Sequence, residues 1–91
     1  MDPARAYHPE PLPTELRHRV RHALEGVPGI AGLLADPASP KFYVVLENTD
    51  MDRDYEIVRR LLDLGDHLGV ELDYDLVPGR SVGMIPDSEQ L

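Results

Sequence analysis

Carboxylates and histidines are the side chains through which this sequence could do acid–base or metal chemistry: it has 17 Asp and Glu, four His and no cysteine. Their spacing picks out three groups. Glu71, Asp73 and Asp75 alternate with Val70, Leu72, Tyr74 and Leu76, so they line one face of a strand. Successive carboxylates then stand ~7 Å apart, too far for direct pairing but workable for a metal ion plus substrate. Glu47, which follows the apolar run Phe42–Leu46, joins this comb if the two strands are neighbours. The same comb also reads as a solvated face whose like charges discourage edge-to-edge pairing.

His18, His22 and Glu25 fall at i, i+4 and i+7 on the outer face of a helix, a spacing able to hold zinc. The His-Glu-x-x-His order that adds a general base is missing, and Arg17 and Arg21 oppose a bound cation. Solvated histidines, or a contact sensitive to pH 6–7, are the other reading. Asp50-x-Asp52-x-Asp54 supplies the first three ligand positions of a calcium loop. Tyr55 at the sixth position and Leu61 at the twelfth exclude an EF-hand. Carboxylates there also suit a helix N-terminus, where each contributes ~0.3–1 kcal/mol against the dipole.

Other chemistries lack parts. No cysteine means no disulfide and no thiolate. Lys41 is the single lysine, and no Gly-rich phosphate loop precedes a helix. Ser39, Ser81 and Ser88 lie outside any nucleophile elbow.

Charge narrows the partners. The 91 residues carry a formal net charge of −8, which repels phosphate and argues against nucleic acid and anionic membrane. Residues 1–46 are balanced, while residues 47–75 hold ten acids against three bases. A basic protein or a divalent cation complements that segment. The basic cluster Arg17-His18-Arg19-Val20-Arg21-His22 is too small to reverse the field, but it matches the acidic segment of a second copy. No apolar run approaches the ~18 residues of a membrane span, and no hydrophobic targeting region is visible, so a cytoplasmic location is expected.

The elements that must position these groups follow from periodicity. Residues 1–13 hold four prolines and read as a flexible lead-in. A helix starts after Pro13 with Thr14 as N-cap, and its stripe Leu16, Val20, Ala23, Leu24 and Val27 faces a core. Ile30–Ala35 reads as a strand, with a helical turn as the alternative. Phe42–Leu46 is the clearest strand and is apolar on both faces. A second helix follows Asp50, with Ile57, Val58, Leu61, Leu62, Leu64, Gly65 and Leu68 on its apolar half and Gly69 closing it. Val70–Val77 is the third strand, and Ser81–Ile85 a possible edge strand. The single domain is bounded at 14–86, with 87–91 a polar end. The fold class is α+β: a two-layer sandwich of order αββαβ(β), both helices on one face of a small mixed sheet.

This order, with a last strand reading Val70-Glu71-Leu72-Asp73-Tyr74-Asp75-Leu76-Val77-Pro78, resembles the minimal nucleotidyltransferase domain over roughly residues 14–78. That family carries Gly-Ser after its first strand and Asp-x-Asp on its second. Here the first strand runs into Ala35-Asp36-Pro37, and Asp50-x-Asp52 falls after the second. The resemblance implies a metal-dependent enzyme using Glu47, Asp73 and Asp75 with Mg²⁺ or Mn²⁺, or a degenerate relative.

The residues themselves favour a non-catalytic, cofactor-free accessory protein, an interaction or regulatory module binding a partner or itself through the acidic helix and the apolar sheet face. In a chain this short, one face of the doubly apolar strand needs a cover from elsewhere. Tyr43 and Val45 are therefore expected at a homodimer or partner contact. Arg17 and Arg21 on one helix, and Asp63 and Asp66 on the other, are the expected charged contacts.

Overall fold

The computed structural model describes residues 11–84 and 89–91; most of the lead-in 1–13 and the boundary at 86 lie outside them. Helix α1 spans Thr14–Ala23, strands β1 and β2 span Ile30–Ala35 and Phe42–Leu46, and helix α2 spans Met51–Leu68. Strand β3 (Tyr74–Pro78) is followed by a 3-10 helix (Gly79–Met84) and a short β4 (Glu89–Gln90). The sheet order is β3-β2-β1-β4. β1 is antiparallel to β2 and β4, whereas β2 and β3 are parallel. This is the expected small α+β fold.

Each element has a local cause. Pro13, not Thr14, is the N-cap of α1, and no side chain caps the helix. A proline carbonyl does the work: Arg17 N donates to Pro13 O at 2.9 Å. α2 starts on a true side-chain cap, with Asp50 accepting from Arg53 N at 3.1 Å. It stops at Gly69, whose φ of +69° suits glycine. Val70 N then donates back to Gly65 O at 3.0 Å. That reversal brings Val70 O within 2.8 Å of where a Cβ on Gly65 would stand, which explains a glycine inside the helix.

The core lies between helices and sheet. Phe42, Val44 and Leu46 point to the helical side and meet Val20, Leu24, Ile57 and Leu61. Their register partners Leu33, Ala35, Tyr74 and Leu76 share that face. Phe42 stacks on Tyr74 with ring centroids 5.5 Å apart. The domain is wider than the sequence suggested. Leu12 is buried in the core, and Leu91 packs against it beyond β4.

Three expectations are corrected. First, β3 begins at Tyr74, not Val70; residues 70–73 are irregular. Second, Ser81–Met84 forms part of the 3-10 helix rather than a strand, and the fourth strand is Glu89–Gln90.

Third, the chain covers both faces of β2 by itself: Tyr43 is 8% exposed and Val45 5%. α2, the β2–β3 crossover, covers the face of Phe42, Val44 and Leu46, and β4 lies at the opposite edge of the sheet from β3 and parallel to it.

Candidate functional site

The carboxylates singled out as a comb do not converge. β2 and β3 run in register from Phe42 opposite Tyr74 to Leu46 opposite Pro78. Glu47 follows the C-terminal end of β2, while Asp73 precedes the N-terminal end of β3. At ~3.3 Å rise per residue they sit about a strand's length apart. Asp75 is already engaged: Lys41 Nζ lies 2.8 Å from its Oδ2. That hydrogen bond holds the Lys41 ammonium above its ordinary range.

On α1, His18 is exposed and His22 Nδ1 lies 3.3 Å from Glu25 Oε2. Among the described residues no three His, Asp or Glu side chains come together as a metal site. Arg17 is half-buried, with Nε donating to Leu12 O at 3.0 Å, whereas Arg21 is exposed. Asp63 and Asp66 are exposed on α2, and Asp63 pairs with Arg59 at 3.3 Å.

Arg53 is the residue that sequence reasoning missed altogether. It is the buried charged residue of α2, 6% exposed. Its Nη1 donates to Asn48 Oδ1 at 2.8 Å and to Gly29 O at 3.2 Å. Nη2 donates to the Asn48 carbonyl and to Asp54 Oδ1, the latter at 3.2 Å. The guanidinium thus ties the β2–α2 loop to the turn before β1. A cleft of about 250 Å³ opens beyond this clamp at the C-terminal ends of β2 and β3, lined by Asn48, Thr49, Leu76, Pro78 and Arg80 among others. Glu47, Asp54 and Arg80 give it walls of mixed charge.

The bases of α2 are spent within the domain. Arg59 and Arg60 both bind Glu56, at 2.6 and 2.9 Å, and hold its carboxyl down at about 2. Arg60 Nη1 also donates to Ala23 O and Glu25 O, closing the C-terminal end of α1. Asp52, Asp66 and Glu71 have no ion pair among the described residues.

Between these acids lies an apolar stripe. Met51, Tyr55 and Leu62 repeat at i, i+4 and i+11 on α2 and are 82%, 73% and 60% exposed. Leu62 had been expected in the core. The seven apolar positions of α2 span an arc wider than one contact can bury, and Leu62 lies on its outer margin. The spacing of Met51, Tyr55 and Leu62 was the available signal.

The stripe leans towards β3. Arg60 reaches α1 from one flank of α2, and Gly65 on the opposite flank meets Val70 and Leu72. An open groove of about 520 Å³ follows that side, lined by Leu62, Asp66, Val70, Glu71, Leu72 and Tyr74 among others.

No helix among the described residues is long and apolar enough to cross a membrane. Comparison with family models, with curated proteins and with solved structures found no match for this chain.

Proposed function

We propose that this chain is a non-catalytic interaction module that docks a protein partner through the outward side of α2. The observation that carries the reading is the exposure of Met51, Tyr55 and Leu62 on one stripe of α2. Contiguous exposed apolar groups with a polar rim are typical of partner surfaces. Removing a Leu or Met side chain from water stabilises a complex by about 1.5–3 kcal/mol. The flanking Asp52 and Asp66 favour a partner that sets Lys or Arg around an apolar centre. A chain without cysteine suits the reducing cytoplasm, where we place this work.

The reading is tested with Tyr55→Glu combined with Leu62→Glu. Both sites are exposed, so the variant should melt like the wild type. Partners recovered on wild-type protein should be lost on the variant, and each should be retitrated in pure form. Equal affinity of both proteins for every such partner overturns the reading. The nucleotidyltransferase-like alternative expects Mg²⁺ or Mn²⁺ with nucleotide to raise the melting temperature, and Asp73→Asn or Asp75→Asn to abolish the rise. We expect no rise.

Self-association is a second form of the same reading. It is favoured by the absence of an ion pair at both Arg21 and Asp66 among the described residues. Sedimentation should then show a dimer at low salt that dissociates at high salt; a monomer under both conditions removes it.

A further inference from the structure

Among the described residues β3 ends the sheet, with its one ladder to β2. Phe42 N donates to Asp73 O at 3.1 Å. In a parallel ladder this turns the main-chain groups of Asp73, Asp75 and Val77 inward, and those of Tyr74 and Leu76 outward. Pro78 falls in the outward set and has no N–H to leave unpaired. Tyr74 and Leu76 therefore present two N–H and two C=O groups on a free edge among the described residues.

The surroundings of this edge are polarised. On the helical side runs the groove bounded by Leu62, Val70, Leu72 and Tyr74. On the other side the side chain of Asp75 is 57% exposed despite its pair with Lys41, and Asp73 is exposed as well. A strand laid along β3 would meet apolar surface with alternate side chains and carboxylates with the rest.

Resting on the interaction reading above, we propose that the β3 edge accepts an extended partner segment in which apolar residues alternate with Lys or Arg, added antiparallel to β3. Charge decides between this occupant and a second copy. A twofold pairing of β3 with its own copy sets Asp73 and Asp75, two carboxylates beside the one ammonium of Lys41, against the same net negative group, and like charges across a ladder are destabilising. A basic segment makes opposite-charge pairs at those positions. Main-chain bonds to Tyr74 and Leu76 supply the register, and valine-sized side chains fill the groove beside Leu62.

The probe is a capped nine-residue peptide of alternating valine and lysine, titrated into the ¹⁵N-labelled full chain with amide hydrogen exchange as readout. Binding should slow exchange at the Tyr74 and Leu76 amides. Affinity should fall at least tenfold when the peptide is N-methylated on the edge that faces β3, and when every lysine is replaced by glutamate. The exposed substitution Asp73→Lys should weaken the lysine peptide and strengthen the glutamate one. The proposal is overturned if the two amides gain no protection, or if the N-methylated peptide binds equally well, which marks adsorption by charge. It is also overturned if protection grows with protein concentration without peptide, since a second copy then holds the edge. If the peptide fails while partners still depend on Tyr55 and Leu62, the occupant is wrong and the interaction reading stands.

Discussion

Arg53 and Gly29 are fitted to each other across 24 residues of sequence. The guanidinium donates to the Gly29 carbonyl at 3.2 Å, and a Cβ on Gly29 would come within 2.5 Å of Nη1. Gly29 also has φ of +81°, a conformation open to glycine at little cost. The same carbonyl accepts from Glu47 N at 2.9 Å. One backbone oxygen thus joins the turn before β1 to the end of β2 and to the first turn of α2.

Gly29→Ala combines a positive φ with a steric conflict, so we expect about 2 kcal/mol or more of destabilisation. Arg53→Ala leaves Asp54 and the Asn48 groups without their donor in a part-buried site. A loss of about 1.5–3 kcal/mol is expected, the range for hydrogen bonds to charged groups, because Asp54 and Asn48 regain water. Urea denaturation of both single variants and the double variant checks this. The double variant should cost less than the two losses combined, because both act on one contact.

Gly65→Ala should destabilise even though alanine is the better helix former by about 1 kcal/mol. The new methyl meets Val70 O at 2.8 Å, a backbone atom held by the helix-terminating turn. Overpacking of this kind costs about 1–3 kcal/mol. A raised denaturation midpoint would show that the turn yields freely.

Acid should act through Glu56. Its carboxyl is depressed from 4.5 to about 2, first by the hydrogen bond from Arg59 and then by that from Arg60. A depressed carboxylate contributes stability above its unfolded value, and that contribution is lost as the pH falls through its folded value. Stability of the wild type should therefore decline between about pH 4.5 and 2 more steeply than that of Glu56→Gln. Parallel declines in melting temperature for the two proteins would contradict this.

Tyr55→Glu and Leu62→Glu should each change folding stability by no more than about 0.5 kcal/mol, since neither side chain is buried. Equilibrium denaturation settles it: a loss of several kcal/mol in either variant would place that side chain in the core.

Most of the framework was legible because period and punctuation agreed. Ile30–Ala35, Phe42–Leu46 and the Asp50-to-Gly69 helix stand where apolar spacing, a capping aspartate and a terminal glycine place them. Strict alternation misled at Val70–Asp73. There the chain is still leaving α2, and Leu72 packs on the core without a ladder. That this chain alone buries Tyr43 and Val45 was not legible, because no local pattern encodes which distant segments return over a strand. The carboxylate comb was scattered by the same two effects: Glu71 and Asp73 precede the strand, and parallel register sends Glu47 and Asp73 to opposite ends.

A sequence with one lysine has one side-chain amine, and here it is seated on the β3 strand through Asp75 and beside the ring of Tyr43. Acylating reagents therefore have a single internal address on this chain. Only a neutral amine acylates, so the rate there reads the small fraction of Lys41 that has left Asp75 and lost its proton, and anything that loosens that margin of the sheet should quicken an ordinary labelling reaction.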